Sequence, residues 1–351
     1  MHRADLNIRQ RLRGVSRSFG LSIGLLPAAL REPVGLAYLL ARITDTVADT
    51  AAVPAAHRLA LLDRLQQAIE QPLQTPSLAP ALQDFARQVD NAPERALLAQ
   101  GQACLEALAR QSGADQAVMR AVLAAIIEGQ HWDLAALDGT QRGVATSAEL
   151  ERYTWLVAGS VGEFWTRMCE LHVPHWHKAQ LAELMHWGAR YGQGLQRLNI
   201  LRDAGADLRA GRCYFPQDEL APLGLDRERL CAAARTGELA TLTRLTPLLE
   251  AWLRHTEAQL HDGLRYSLAL RGWRLRLASA LPCLIGIRTL TLLRQAETQA
   301  LLSHVKLPRR EVRRLLLPLV LSGVSDRQLQ ASWNAGLQPG KGPALSARIG
   351  T

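Results

Sequence analysis

Aromatic residues make up only 5% of the chain, and β-branched residues nowhere alternate long enough to suggest a sheet. Alanine and leucine are abundant instead, which favours helix. Neither GxGxxG nor GxxxxGK[ST] occurs, so the sequence offers no Rossmann fingerprint and no P-loop. No run of 18 apolar residues exists, so no transmembrane helix is expected; LLLPLVLSGV near the C-terminus is short and carries a proline. The N-terminal stretch MHRADLNIRQRLRG lacks an apolar core, so no signal peptide is expected. The five cysteines (Cys104, Cys169, Cys213, Cys231 and Cys283) form no CxxC and no regular spacing. They read as reduced thiols of a cytoplasmic protein.

Lysine is also scarce: among 41 basic residues only Lys178, Lys306 and Lys341 are lysines, and the formal net charge is +9. A chain this basic suits nucleic acid, an anionic membrane surface or an anionic substrate. The arginines are scattered along the chain, which argues against nucleic acid. Arginine's planar fork matches phosphate. With 351 residues and 48% hydrophobic content, the chain can bury a large core.

The most informative stretch is GQGLQRLNILRDAGADLRAGRCYFP, Gly192 to Pro216. Asp203 and Asp207 lie four residues apart, on one face of a helix. Gln196, Asn199, Arg202 and Arg212 are polar groups in the same otherwise apolar pattern. Two carboxylates at ~4 Å repel by roughly 4 kcal/mol at an effective dielectric of ~20. Solvent offsets that on a surface helix; a divalent cation offsets it in a site. A single DxxxD reads as a solvated face, but ARITDTVADT repeats it with Asp45 and Asp49, again beside an arginine. The duplication suggests one cavity with four facing carboxylates. Mg²⁺ suits such a set, because it binds a few carboxylates plus substrate phosphates.

Around these motifs the periodicity predicts helices throughout. Glu32-Pro33 marks a helix start, and Tyr38 and Arg42 share a side of that helix with the aspartates. A helix spans 54–70, a proline-rich connection follows over Gln71–Pro80, and further helices cover about 80–90, 94–111 and 114–135. The last of these carries Glu128 and Asp133, of which Asp133 is a candidate for the cavity. Thr146 and Glu149 predict a capping box for a helix over Ser147–His172. There Tyr153 lies two turns before the small residues Ala158, Gly159, Ser160 and Gly162. His172, His175 and His177 lack further ligands at zinc spacing. The central helix is expected over about 178–205, then helices near 226–236, 240–270, 273–300 and 309–335. We expect one all-α domain over 1–337, with 338–351 a disordered tail.

Taken together, these residues resemble the squalene and phytoene synthases, the head-to-head trans-isoprenyl diphosphate synthases. The resemblance runs from Ser16 to about Arg310, with elements in family order: SRSF, Y-x3-R-x2-DTVAD, EGQHWD, YTWLVAGSVG and LQ-x2-NILRD-x3-D-x3-GR-x-YFP. DTVAD and the tyrosine-led YTWLVAGSVG lean towards the squalene synthase branch. The glutamate usual before the last aspartate of each motif is replaced by Ala48 and Ala206.

The resemblance implies an isoprenoid synthase helical bundle around a central cavity and Mg²⁺ held by Asp45, Asp49, Asp203 and Asp207. It implies two farnesyl diphosphates as substrates, and NADPH as reductant if the product is squalene. Tyr153 would be the base; Ser16, Arg17, Ser18, Phe19, Tyr38, Arg42, Asp133, Gln196, Asn199, Arg202 and Arg212 would contact substrate. Arg17, Arg42, Asn199, Arg202 and Lys306 would serve the reductant. The alternatives are a family member that ends at presqualene diphosphate, dehydrosqualene, hydroxysqualene or phytoene, and a non-catalytic relative. Peripheral membrane contact is a further expectation, because HVKLPRREVRRLLLPLVL is basic and apolar.

Overall fold

A computed structural model of the chain describes residues 23–72, 74–137, 143–303 and 305–339. Among them sixteen α-helices and no strands are found. They are α1 (Ala28–Asp49), α2 (Ala55–Glu70), α3 (Ala79–Ala86), α4 (Ala92–Leu98), α5 (Gly101–Ala109), α6 (Gly113–Leu137), α7 (Ser147–Thr154) and α8 (Ser160–His172). Then come α9 (Leu181–Arg209), α10 (Gln217–Leu220), α11 (Arg227–Thr236), α12 (Leu239–Thr243), α13 (Thr246–Ala269), α14 (Trp273–Ala296), α15 (Arg309–Leu321) and α16 (Asp326–Leu337). A π-helical turn, Trp155–Gly159, joins α7 to α8. The SRSF segment, with Ser16, Arg17, Ser18 and Phe19, and the tail from residue 340 lie outside the described residues.

The helices group into two compact units. The first comprises residues 1–135 and 163–176. In it α1 packs on α2, α4 and α5. Leu36, Leu39, Leu40, Ile43 and Val47 of α1 are buried, at the 3.6-residue spacing that puts them on one face. Each such side chain contributes about 1.5–3 kcal/mol of burial. Helix α1 begins at Ala28, earlier than Glu32-Pro33 suggests, and Pro33 lies inside it. Proline there forfeits one backbone hydrogen bond, which the buried face outweighs.

The second unit comprises residues 136–162 and 177–351. Its central helix α9 packs along α13, which packs along α14. Gln180 and Glu183 form a capping box at the start of α9. At Thr146 the box is half formed: Thr146 accepts from the Glu149 N–H at 3.2 Å, but the Glu149 carboxylate takes the N–H of Ala145. Three predicted helices are each split in two, at 99–100, 244–245 and 322–325. The last break turns on Gly323 and Val324, both with positive φ, after which Ser325 caps α16.

Among the described residues one segment, Trp273–Leu301, is long and apolar enough to cross a membrane, against the expectation of none. Of its most apolar window 67% is buried inside the protein, and it packs on α13 and α16, as a core helix does. All five cysteines are free thiols and buried. His172 lies 2.6 Å from Asp115, and His177 Nδ1 lies 2.7 Å from the Ala179 carbonyl.

Candidate active site

The first unit gathers two carboxylates around one arginine. On α1, Arg42 Nη1 donates to Asp45 Oδ2 at 2.5 Å, and Nη2 donates to Glu94 Oε1. Glu94 sits in the first turn of α4, where Asn91 caps its N–H. Burial pushes the Asp45 carboxyl up; Arg42 opposes this, while the charges of Glu94 and Asp133 add to it, and the net shift is upward. Burial would lower the Arg42 guanidinium, but Asp45, Glu94 and Tyr38 outweigh it and hold its proton more tightly. Tyr38 thus acts on Arg42, and Asp133 on Asp45. Asp49, one turn beyond Asp45, is exposed, and the buried Arg58 closes that end of α1 on the Ala48 carbonyl at 2.6 Å.

The second unit repeats the arrangement on α9. Arg202 Nε and Nη2 grip the two oxygens of Asp203 at 2.9 and 2.6 Å. The Asp203 hydrogen bond is the main cause that raises the Arg202 guanidinium, helped by the charge of Asp207 against the effect of burial. Both pairs remain reachable from water: side-chain exposure is 31% and 42% for Arg42 and Asp45, and 37% and 36% for Arg202 and Asp203. Each therefore offers a carboxylate and a guanidinium to an incoming ligand.

At 100° per residue, Gln196, Asn199, Asp203 and Asp207 form one stripe of α9. Asn199 donates to Gln196 at 3.4 Å. The stripe continues upward to Gly192, where the π-helical turn crosses: a Cβ at Gly192 would lie 2.1 Å from the Ala158 carbonyl oxygen. Tyr153, just before the turn, is buried. Such turns insert an extra residue and recur at functional sites.

Tyr153 stacks on Tyr214, with ring centroids 5.8 Å apart. Gly211, at φ +85°, turns the chain after α9. Arg212 then donates to the Tyr214 hydroxyl at 2.6 Å. The expected return of Arg212 over the aspartates is not among these contacts: its guanidinium lies against the Tyr214 ring, 5.6 Å from the centroid. Lys306 is exposed. Leu301, five residues before it, rests against Gly205, which lies on the side of α9 opposite Asp203.

Glu94 and Tyr214 escaped the sequence reading. So did Glu151, which ties α7 to α9: it accepts from Arg197 and from Gln193 at 3.1 Å, and lies 3.3 Å from His255. Arg197 also lies over the Trp252 ring at 4.9 Å. Burial pushes the Glu151 carboxyl up, but His255 and Arg197 outweigh it and hold it below the usual carboxylate value. A depressed carboxyl stabilises the fold above its unfolded value and loses that contribution as pH falls through its folded value. Unfolding free energy in urea is therefore expected to fall as pH drops from neutral through the carboxylate range. Glu151→Gln should flatten part of that slope; an unchanged slope would mean that Glu151 does not hold α7 on α9.

Among the described residues, no three His, Cys, Asp or Glu side chains converge tightly enough to cage a metal alone. Mg²⁺ does not require such a cage, since it keeps waters and shares its coordination with substrate phosphates. The oxygen-only donors of each aspartate pair, one turn apart and accessible, fit that mode of binding.

A family model described as squalene/phytoene synthase matches residues 12–311. A phytoene synthase of Thermus thermophilus is 34% identical over 126 residues, 36% of this chain and 37% of that protein. A chloroplastic phytoene synthase 2 of Solanum lycopersicum is 39% identical over 88 residues, 25% of this chain and 28% of that protein. The matched stretches thus span about a third of these curated relatives. In three dimensions the chain is similar to TcSQS solved with a ligand: TM-score 0.71, 22% identity, 94% of this chain and 96% of that one.

Proposed function

This chain belongs to the squalene/phytoene synthase family, and from that premise we propose that it is a squalene synthase, joining two farnesyl diphosphates head to head into presqualene diphosphate and reducing that intermediate to squalene. The observation that carries the reading is the repeated unit of an arginine paired to the first of two aspartates, Arg42 with Asp45 and Arg202 with Asp203. Two diphosphates need two such anchors. The squalene branch is favoured by DTVAD at Asp45–Asp49 and by YTWLVAGSVG at Tyr153–Gly162.

Mg²⁺, when held by Asp45 and Asp49 or by Asp203 and Asp207, supplies electrophilic stabilisation of a departing diphosphate. The residues themselves do the positioning. Once the aspartates turn to the cation, Arg42 and Arg202 can transfer their donors to phosphate oxygens, where charge develops as the C1–O bond breaks. The electron pair leaves with diphosphate, and the double bond of the second farnesyl chain attacks C1. Tyr153 takes the proton whose loss closes the cyclopropane, with Tyr214 and Arg212 fixing its ring. Buried apolar helices exclude water that would quench the cation. Asn199, Arg202 and Lys306 are our candidates for NADPH, whose chemistry is the hydride of the second half-reaction. Their amide and cationic donors suit its phosphates.

The relatives reported above are phytoene synthases, which favours a second reading: a condensation that ends without reduction. A product assay separates the two. Purified protein is incubated with farnesyl diphosphate and Mg²⁺, with and without NADPH, and products are identified by mass spectrometry. Squalene formed only with NADPH supports the proposal; presqualene diphosphate, dehydrosqualene or an alcohol regardless of NADPH moves the function to the second reading. In the same assay Tyr153→Phe is expected to cut presqualene diphosphate formation by about 10²–10⁴-fold, the usual worth of a positioned base. Formation at the normal rate would remove Tyr153 from that role.

A further inference from the structure

Helix α15 presents two different surfaces along its length. Its inner side holds it down: Glu311 accepts from Arg288 at 2.8 Å, Arg288 also donates to the Gln338 carbonyl at 3.1 Å, and Leu319 is fully buried. At 100° per residue, Arg310, Arg313, Arg314, Leu317, Val320 and Leu321 share the opposite arc, and all six are exposed. The arginines come first; apolar side chains take the last turn. Leu321 and Leu317, at 78% and 63%, are the most exposed large hydrophobic side chains among the described residues, and Val320 is 52% exposed.

An ordinary surface helix separates charged from apolar residues around its circumference. Here the outer face itself is also divided along the helix axis, cationic at one end and greasy at the other. A contiguous exposed apolar end marks an interaction surface. We propose that α15 docks the protein on an anionic lipid bilayer, with Leu317, Val320 and Leu321 entering the acyl boundary and Arg310, Arg313 and Arg314 at the level of the headgroups. Charge argues for this occupant over a second copy of the chain. The helix's one acidic residue, Glu311, is turned inward on Arg288, so a two-fold contact through this face would give its exposed arginines no carboxylate of the same helix to pair with. The chain's net charge of +9 adds to that repulsion. A lipid surface supplies both the opposite charge and the apolar phase.

The test uses the full chain and needs no substrate, so it stands or falls apart from the enzymatic reading. Protein is sedimented with phosphatidylglycerol vesicles and, separately, with phosphatidylcholine vesicles. We expect partitioning to the anionic vesicles that weakens with salt, and far less to the neutral ones. Arg313→Gln with Arg314→Gln should weaken binding about 25-fold, at about fivefold for each arginine. Leu317→Asp with Leu321→Asp should weaken it more than about tenfold. All four side chains are exposed, so circular dichroism and the melting midpoint should stay at wild-type values. No binding to anionic vesicles at low salt, or wild-type binding by both double variants, would overturn the proposal. So would a dimer in analytical ultracentrifugation that Leu317→Asp with Leu321→Asp dissociates, which would assign the face to a second copy.

Discussion

Asp45→Asn is expected to lower product formation by about 10²–10³-fold, the usual cost of one group that stabilises transition-state charge, while the helical fold persists. The same substitution should leave the unfolding free energy at neutral pH unchanged or slightly higher. The reason lies in what surrounds the carboxyl. Burial, and then the charges of Glu94 and Asp133, push Asp45 upward despite Arg42. For a carboxyl raised on folding, the ionised form costs stability at pH above its folded value, and the cost vanishes below its unfolded value. Asparagine removes the cost and the metal ligand together. Asp203→Asn offers the contrast. Its loss of product should be similar, but it breaks the two-pronged grip of Arg202 and carries no gain in stability. Product yield by mass spectrometry and urea unfolding at neutral pH measure both effects. Near-wild-type turnover in either variant would end the Mg²⁺–diphosphate assignment. A marked loss of stability in Asp45→Asn would show that the Arg42 pair outweighs the acidic surroundings.

The parts of this site that were legible in the sequence are those set by local spacing. Asp45 with Asp49, Asp203 with Asp207, and Arg202 next to Asp203 are each fixed by the helical repeat, so their grouping follows once a helix is assumed. Glu94, Glu151 and Tyr214 reach their partners from separate helices and loops, and no period in the chain signals that. Tyr214 did leave one trace, its place two residues after Arg212, past a glycine able to take positive φ. The helix breaks were obscured for a related reason. Across 99–100 and 244–245 the buried residues keep the helical period through the break. At 322–325 the local chemistry, Gly323 followed by the cap Ser325, was the better guide. Pro33 misled in the other direction. Its familiar place is at a helix start, but one missing N–H in the second turn is tolerated when Leu30 and Leu36 on either side are fully buried.

Gly192→Ala is expected to destabilise the second unit by about 3 kcal/mol or more and to depress turnover with it. Overpacking a well-filled interior costs about 1–3 kcal/mol when side chains can yield, but at this crossing they cannot. An added Cβ would sit 2.1 Å from the Ala158 carbonyl oxygen and 2.6 Å from its carbon, so the backbone itself must move. Gly162→Ala meets the same obstacle from the other side, with the Gly188 carbonyl oxygen at 1.9 Å. Either change would pry the π-helical turn from α9 and shift Tyr153, which lies just before that turn. The effect should therefore appear in two readouts, a lower melting midpoint and slower formation of the first condensation product. Gly113→Ala is the control. A Cβ there meets nothing within 4 Å, and the stiffer unfolded chain should add about 0.4–1 kcal/mol of stability. If Gly192→Ala melted like Gly113→Ala and turned over normally, the close crossing of α9 and the π-helical turn would not be what places Tyr153.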